Sequence, residues 1–325
     1  MKTTTNLVCC PDDLKGLQNT FKIFIAGPIQ GSSNWQHNLP DIPGVTWISP
    51  RRLDYNFFNY DQQTEWETIG LRIANLVLFW IPEPVENIPG RSYAQTTRIE
   101  FGEILGRYDK PCVFGCYPGY NGRQYLEYKV KEYTGQSLHT TLEDCIDEIK
   151  SKLPTKSHTF FTSDTHFGSQ RTLDLSKRPF RTVKEMDWTM ISRWNSAVSP
   201  LDTVYHLGDF GETWPTSYLT GNIKLILGNY ERDMKSETPQ GDNVEVLGDT
   251  YILDNKYLLS HEPSLWDECS LGQLFGHIHG RQMVKKWGGL DVGVDCHNFT
   301  PVSENDADFY LGVIDKGYYD QEVWS

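Results

Sequence analysis

At 325 residues the chain is longer than one hydrophobic core usually serves and suits two domains. Charged residues at 22% and aromatics at 13% exclude a disordered polypeptide, and a formal charge of −13 argues against broad binding to a nucleic-acid backbone, which needs a basic surface. One local pocket for a small nucleotide stays compatible with that charge.

The first 20 residues, with Cys9-Cys10-Pro11-Asp12-Asp13, show no clear period and are expected to form a loosely held lead-in. Phe21 to Ala26 has the pattern of a buried strand and runs into Gly27-Pro28-Ile29-Gln30-Gly31-Ser32-Ser33-Asn34-Trp35. A strand, a glycine turn and Ser/Asn before a helix can direct backbone N–H groups at a phosphate or sugar, although a plain strand-to-helix turn has the same signature. Val45 to Ile48 predicts a second strand, ending in Ser49-Pro50-Arg51-Arg52. Gln63 to Ala74 reads as a partly amphipathic helix leading into the strand Leu76 to Trp80. Thr96 to Gly106 predicts another helix, and Pro111 to Phe114 another strand. The region from Asn121 to Tyr133 is polar and aromatic and gives no assignment. Leu142, Cys145, Ile146, Ile149 and Leu153 recur at helical spacing. Strands alternating with helices imply a parallel sheet with ligands at the carboxyl ends of its strands.

Four of these stretches, Ile25 to Ile29, Ser49 to Arg52, Trp66-Glu67 with Leu76 to Trp80, and Arg98 to Gly102, together resemble the nucleoside 2-deoxyribosyltransferase family and its nucleotide N-hydrolase relatives. The resemblance covers residues 21 to 118 and implies a flavodoxin/Rossmann-like α/β domain, set at residues 1–153. It also implies that Glu100 is a nucleophile attacking the anomeric carbon. A helix N-terminus would favour its ionised form; an ordinary first-turn Glu needs no other role. Gly27, Pro28, Arg51, Arg52 and Arg91 are the candidate substrate-binding residues, the arginines for a phosphate. Two departures concern base recognition and leaving-group protonation: Asn75 stands where the family often has an acid, and Gly90 to Gln95 lacks the usual Asp.

Pro154-Thr155-Lys156-Ser157 reads as a linker, and residues 154–325 as a second domain. In it, Asp164 and His166, then His206-Leu207-Gly208-Asp209, Asn229-Tyr230-Glu231, His261, and His277 with His279 each follow a short apolar run. Asp, His and Asn arriving from five strand ends have the pattern of a two-metal site. Met186, Met190, Ile191 and Trp194 are expected to pack on the sheet, and His206 to be structural.

In this order the clusters resemble the calcineurin-like metallophosphoesterases, with further agreement at Arg178-Pro179-Phe180, Trp194-Asn195 and Val292-Gly293-Val294-Asp295, familiar from bacterial and phage members. The resemblance implies an α/β sandwich holding two divalent metal ions, Mn, Fe, Zn or Ni. One would be bound by Asp164, His166, Asp209 and His279, the other by Asp209, Asn229, His261 and His277, with Asp209 bridging. Asn229, Tyr230 and His261 join Glu100 as candidate catalytic residues. After the ligand Asn the family usually places a His that protonates the leaving group; here Tyr230 takes its place, so either the leaving group needs little protonation or turnover is slow.

Together the two resemblances imply a bifunctional hydrolase acting on a (deoxy)nucleotide or signalling nucleotide. The alternatives are a phosphoesterase whose first domain selects substrate, and a non-catalytic nucleotide-binding protein. The seven cysteines are odd in number and scattered, Cys112 and Cys116 lack a second pair to complete a zinc site, and no apolar run reaches membrane-spanning length, so a cytoplasmic protein is expected. Oligomeric state is left open; the first resemblance admits a homo-oligomer.

Overall fold

The computed structural model describes residues 6–54, 59–90, 92–107, 110–263, 271–281, 283–285 and 289–315. The chain divides into two compact units, Met1–Thr155 and Lys156–Ser325, and the division falls inside the polar segment from Pro154 to Ser157. Among the described residues no helix is long and apolar enough to cross a membrane.

The first unit is a five-stranded, wholly parallel sheet of order β1-β3-β2-β4-β5, built from Leu7–Cys9 (β1), Phe21–Ala26 (β2), Val45–Ser49 (β3), Leu76–Ile81 (β4) and Cys112–Cys116 (β5). Helices follow at Tyr60–Ile73 (α1), Gln95–Arg107 (α2), Arg123–Thr134 (α3) and Leu142–Lys152 (α4). The strands are apolar runs without alternation because both faces are covered. Leu76, Leu78 and Trp80 of β4 share one core with Ile23, Trp47 and α4 residues Cys145, Ile146 and Ile149. On the other face Phe79 stacks on Phe114, and both meet Phe101 of α2 edge-on. Phe24 packs against Gly70 of α1 on that same face.

Three expectations change here. The opening residues are no loose lead-in: β1 pairs with β3, Cys9 and Cys10 are buried, and the Trp66 indole donates to the carbonyl of Asp12 at 2.7 Å. The segment after β2 forms only a 3-10 turn, Trp35–Asn38, and the unassigned polar region is helix α3, whose Leu126 and Val130 are buried. Two apolar positions in a polar stretch are too sparse a signal to read a helix face from.

The second unit has two five-stranded sheets. One, of order β15-β6-β7-β8-β9, contains Thr159–Thr162 (β6), Thr203–His206 (β7), Asn222–Ile226 (β8), Val244–Gly248 (β9) and Val302–Ser303 (β15). The other, of order β10-β11-β12-β14-β13, contains Thr250–Leu253 (β10), Tyr257–Ser260 (β11), Gly272–Phe275 (β12), Val284–Lys285 (β13) and Gly289–Asp291 (β14). Phe161, Tyr205 and Ile226 from the first meet Leu253, Leu259, Leu274 and Leu290 from the second in one core, so the sheets are layered face to face. Helices α5 (Gln170–Leu175), α6 (Val183–Ala197), α7 (Asn229–Arg232) and α8 (Glu304–Asp315) complete the unit. Met186, Met190, Ile191 and Trp194 of α6 are buried, as their spacing predicts.

Trp47 is fully buried at the centre of the first core, and its indole donates to the Pro40 carbonyl at 3.0 Å. Trp47→Ala is therefore expected to destabilise the first unit by about 3–5 kcal/mol. Urea unfolding of the full chain should show one transition moved to lower denaturant; an unmoved profile would contradict this core.

Candidate functional site

Order β3-β2-β4 places the reversal of strand order between β2 and β4, where open α/β sheets leave a crevice at the carboxyl ends of their strands. A cavity of about 650 Å³ lies there, lined by Gly27 and Pro28 after β2, by Pro84 to Ile88 after β4, and by Glu67 and Glu100 from α1 and α2. Gly27 is required by close approach: a Cβ would stand 2.4 Å from the Trp80 carbonyl oxygen and 2.5 Å from the Trp35 ring.

Glu100 is the sixth residue of α2, beyond the first turn, so the helix dipole gives it little. Burial, followed by the carboxylates of Glu67 and Glu103, pushes it up to about 8, opposite to the expected preference for the ionised form. Glu67 is also raised by burial, against the hydrogen bond it accepts from Gln63 Nε2 at 2.8 Å. The Gln63 amide is oriented by Arg52, whose Nε donates to Gln63 Oε1 at 2.6 Å, and by the Pro50 carbonyl, which accepts from Gln63 Nε2 at 2.7 Å.

The arginines expected at a phosphate are used otherwise. Arg52 is buried and holds Gln63 and Gln62. Arg51 donates to Gln36 Oε1 at 3.0 Å and to the carbonyls of Ile29 and Ser33 at 3.0 and 3.2 Å, bracing the loop after β2. Neither lines the cavity. A guanidinium beside unpaired loop carbonyls satisfies them first, which the sequence does not reveal. Arg91 lies outside the described residues. Asn75 is buried beneath β2, accepting from the Lys22 N–H at 2.9 Å, and is not in the cavity wall.

In the second unit all seven predicted ligand residues follow strand ends: Asp164 and His166 after β6, Asp209 after β7, Asn229 after β8, His261 after β11, and His277 and His279 after β12. Asp164, His166 and His279 bring ligand atoms within 4.8 Å of one another, as do Asp164, Asp209 and His261. Asp209 Oδ2 lies 3.4 Å from His166 Nε2 and 3.5 Å from His261 Nε2, facing both. Asn229 Oδ1 lies 3.0 Å from His261 Nε2 and 3.1 Å from His277 Nδ1. Asp164, His166, Asp209 and His261 are buried, while His277 is exposed, so the cluster has a closed floor and an open mouth.

Neighbouring groups orient these side chains. His261 Nδ1 donates to the Leu207 carbonyl at 2.7 Å, leaving Nε2 toward Asp209. Asp295 holds His279 Nδ1 at 3.0 Å and is itself gripped by Arg178 at 2.8 and 2.9 Å. Glu231 accepts from the N–H groups of Gly228, Asp209 and Phe210 at 2.9, 2.9 and 2.8 Å. The sequence contains Arg178, Glu231 and Asp295 within recognised stretches, but only the fold reveals these contacts. His206 is buried behind the cluster, 3.0 Å from Thr165 Oγ1, and burial lowers its pKa to about 3, as befits a structural histidine.

Asp164 Oδ1 and both ring nitrogens of His166 are buried without a hydrogen-bond partner. Buried acceptors left unmatched beside further His, Asp and Asn donors fit a divalent transition-metal ion.

Residues 20–120 match the family model described as "Nucleoside 2-deoxyribosyltransferase like", so the first unit carries a domain of that kind. The chain is 28% identical over 174 residues to the uncharacterized protein MJ1445 of Methanocaldococcus jannaschii, spanning 49% of this chain and 92% of that protein. It is 34% identical over 84 residues to the gene 66 protein of Mycobacterium phage L5, spanning 23% of this chain and 40% of that one. A solved structure, the protein of unknown function AQ665 from Aquifex aeolicus, aligns with a TM-score of 0.39 at 22% identity, covering 47% of this chain and 99% of that chain.

Glu100 yields a pH prediction. An unfolded Glu titrates near about 4.3 and the folded one near 8, so in that window the folded state binds the extra proton and stability falls as pH rises. Glu100→Gln removes this contribution, so its stability relative to wild type should climb between about pH 5 and 8 and level off above. Urea unfolding across that range checks it; parallel curves would place Glu100 in a watery setting.

Proposed function

We propose that the protein is a bifunctional nucleotide-processing hydrolase, whose second unit cleaves a phosphoester with two divalent metal ions and whose first unit cleaves or transfers an N-glycosidic bond. The convergence of Asp164, His166, Asp209, Asn229, His261, His277 and His279 from five strand ends, with Asp209 Oδ2 facing both His166 and His261, carries the first half of this reading. It supports a calcineurin-like metallophosphoesterase arrangement, in which Asp164, His166, Asp209 and His279 hold one ion and Asp209, Asn229, His261 and His277 the other. Bound there, such ions supply Lewis acidity and an activated water. The chain's own part is to present these donors in fixed orientation: Leu207 and Asp295 set the rings of His261 and His279, and Glu231 sets the two loops that bear Asp209 and Asn229.

For the first unit, the family match and the position of Glu100 in the cavity wall support glycosidic chemistry. Glu100 must be ionised to attack the anomeric carbon, forming a glycosyl ester and breaking the carbon–nitrogen bond as the base leaves with the electron pair and takes a proton from solvent. Water then releases the sugar and restores the carboxylate. One observation favours a second reading, a nucleoside-binding module: Glu100 is pushed up to about 8, which leaves the carboxyl largely protonated at neutral pH.

Purified full-length protein incubated with Mn²⁺ and a nucleotide panel separates these readings by its products: free base, inorganic phosphate, both or neither. Asp209→Asn is expected to cost the most metal, since its carboxylate faces both halves of the cluster. Elemental analysis showing no metal in wild type after Mn²⁺ loading would falsify the phosphoesterase half. Glu100→Gln should suppress base release by several orders of magnitude and spare phosphate release, while His277→Ala should do the reverse. Equal loss of both products in both variants would rule out two independent sites.

A further inference from the structure

Resting on the phosphoester reading of the second unit, we propose that Arg171 is a substrate-recognition residue of this site, gripping phosphoryl oxygens at its mouth, and that Tyr230 positions it. Tyr230 stands where proton donation to a leaving group would be expected. Its surroundings fit a different task.

Tyr230 is held through both its backbone and its ring. Its N–H donates to Asp209 Oδ1 at 2.9 Å, which locks the residue to the carboxylate at the centre of the cluster. Its carbonyl accepts from the N–H groups of Lys235 and Ser236 at 2.8 and 3.2 Å. Its ring meets His166 edge-on with centroids 4.7 Å apart, so the phenol projects beside the ligands. The phenol oxygen is hydrogen-bonded by Arg171 Nη1. Arg171 is exposed on α5, the helix that follows the loop of Asp164 and His166, and Tyr230 is its hydrogen-bond partner among the described residues.

A guanidinium has five N–H donors, and one contact to a phenol leaves most of them for an anion. Exposed, and held by a ring that packs on His166, it presents a planar fork suited to phosphoryl oxygens, with little side-chain freedom left to lose on binding. Lys235 adds positive charge 5.7 Å from the Tyr230 ring centre but is paired with Asp233. Arg232 is paired with Glu262. Arg171 has no such acidic partner among the described residues, which singles it out for an anionic ligand.

The test measures binding of inorganic phosphate to Mn²⁺-loaded full-length protein by calorimetry, with metal content determined on the same samples. Arg171→Ala should weaken phosphate by about 10- to 100-fold, as expected for losing hydrogen bonds to a charged group. Arg171→Lys should restore part of this, and Tyr230→Phe should weaken phosphate less than Arg171→Ala does. The double variant should bind no worse than Arg171→Ala, because Tyr230 acts through Arg171. Metal content should be unchanged throughout. Unaltered phosphate affinity in Arg171→Ala with full metal content overturns the proposal while leaving the phosphoester reading in place. Additive losses in the double variant overturn the positioning role of Tyr230. A wild type that takes up no metal removes the phosphoester reading, and this inference with it.

Discussion

The geometry of the second unit depends on one buried carboxylate that hydrogen-bonds to backbone N–H groups and to none of the seven proposed ligand side chains. Glu231 accepts from the backbone N–H groups of Gly228, Asp209 and Phe210, so it ties the loop after β7 to the loop after β8. Those loops carry Asp209 and Asn229, and Asp209 in turn accepts from the Tyr230 N–H. Without that carboxylate three buried N–H groups would lose their acceptor, each at a cost of roughly 1–3 kcal/mol. The second sheet is joined in by the His277 N–H, which donates to Asp164 Oδ2 at 2.9 Å, while the Gly276 N–H donates to the His261 carbonyl at 2.9 Å and ties two loops of that sheet to each other. A Cβ on Gly276 would stand 2.0 Å from Ser163 Oγ, so glycine there is a condition of bringing the two sheets' loops together.

Much of this was legible in the sequence because each proposed ligand residue sits just beyond a strand, and short apolar runs identify strand ends well. Asp164, Asp209, Asn229, His261 and His277 each follow such a run, and the structure brings all five together. The supporting groups were not legible. Asp295 reaches His279 and Arg178 across separations of 16 and 117 residues, and no local pattern encodes such a contact.

In the first unit the parallel sheet follows from unbroken apolar strands, and Glu100 does face the cavity behind them. Arg51 and Arg52 do not line that cavity; charge type alone does not say what a guanidinium faces. Arg51 closes off loop carbonyls, and Arg52 orients Gln63, which then donates to Glu67. Their contribution to the cavity is thus indirect, setting the shape of a wall in which burial raises the pKa of both Glu67 and Glu100 and the Glu67 carboxylate raises that of Glu100 further. Two carboxyls so placed resist ionising together, a condition that burial imposes and that no stretch of local sequence displays.

Backbone conformation distinguishes the second cluster from a fortuitous gathering of polar residues. Asp164, His166, Asp209, His277 and His279 all have positive φ, between 46° and 72°. For non-glycine residues that region costs of order 1 kcal/mol or more apiece, and glycine or asparagine would relieve it. Hydrogen bonds hold the strained turns in place, among them Asp164 N–H to the Gly208 carbonyl and His166 N–H to the Asp209 carbonyl, both at 3.0 Å. Folding alone gives no reason to put two carboxylates and three imidazoles at such positions and leave His166 without a hydrogen-bond partner for either ring nitrogen. At Asp164 and His166 backbone strain and an unsatisfied buried side chain fall on the same residue, a coincidence that supports the proposed metal centre over a merely structural role.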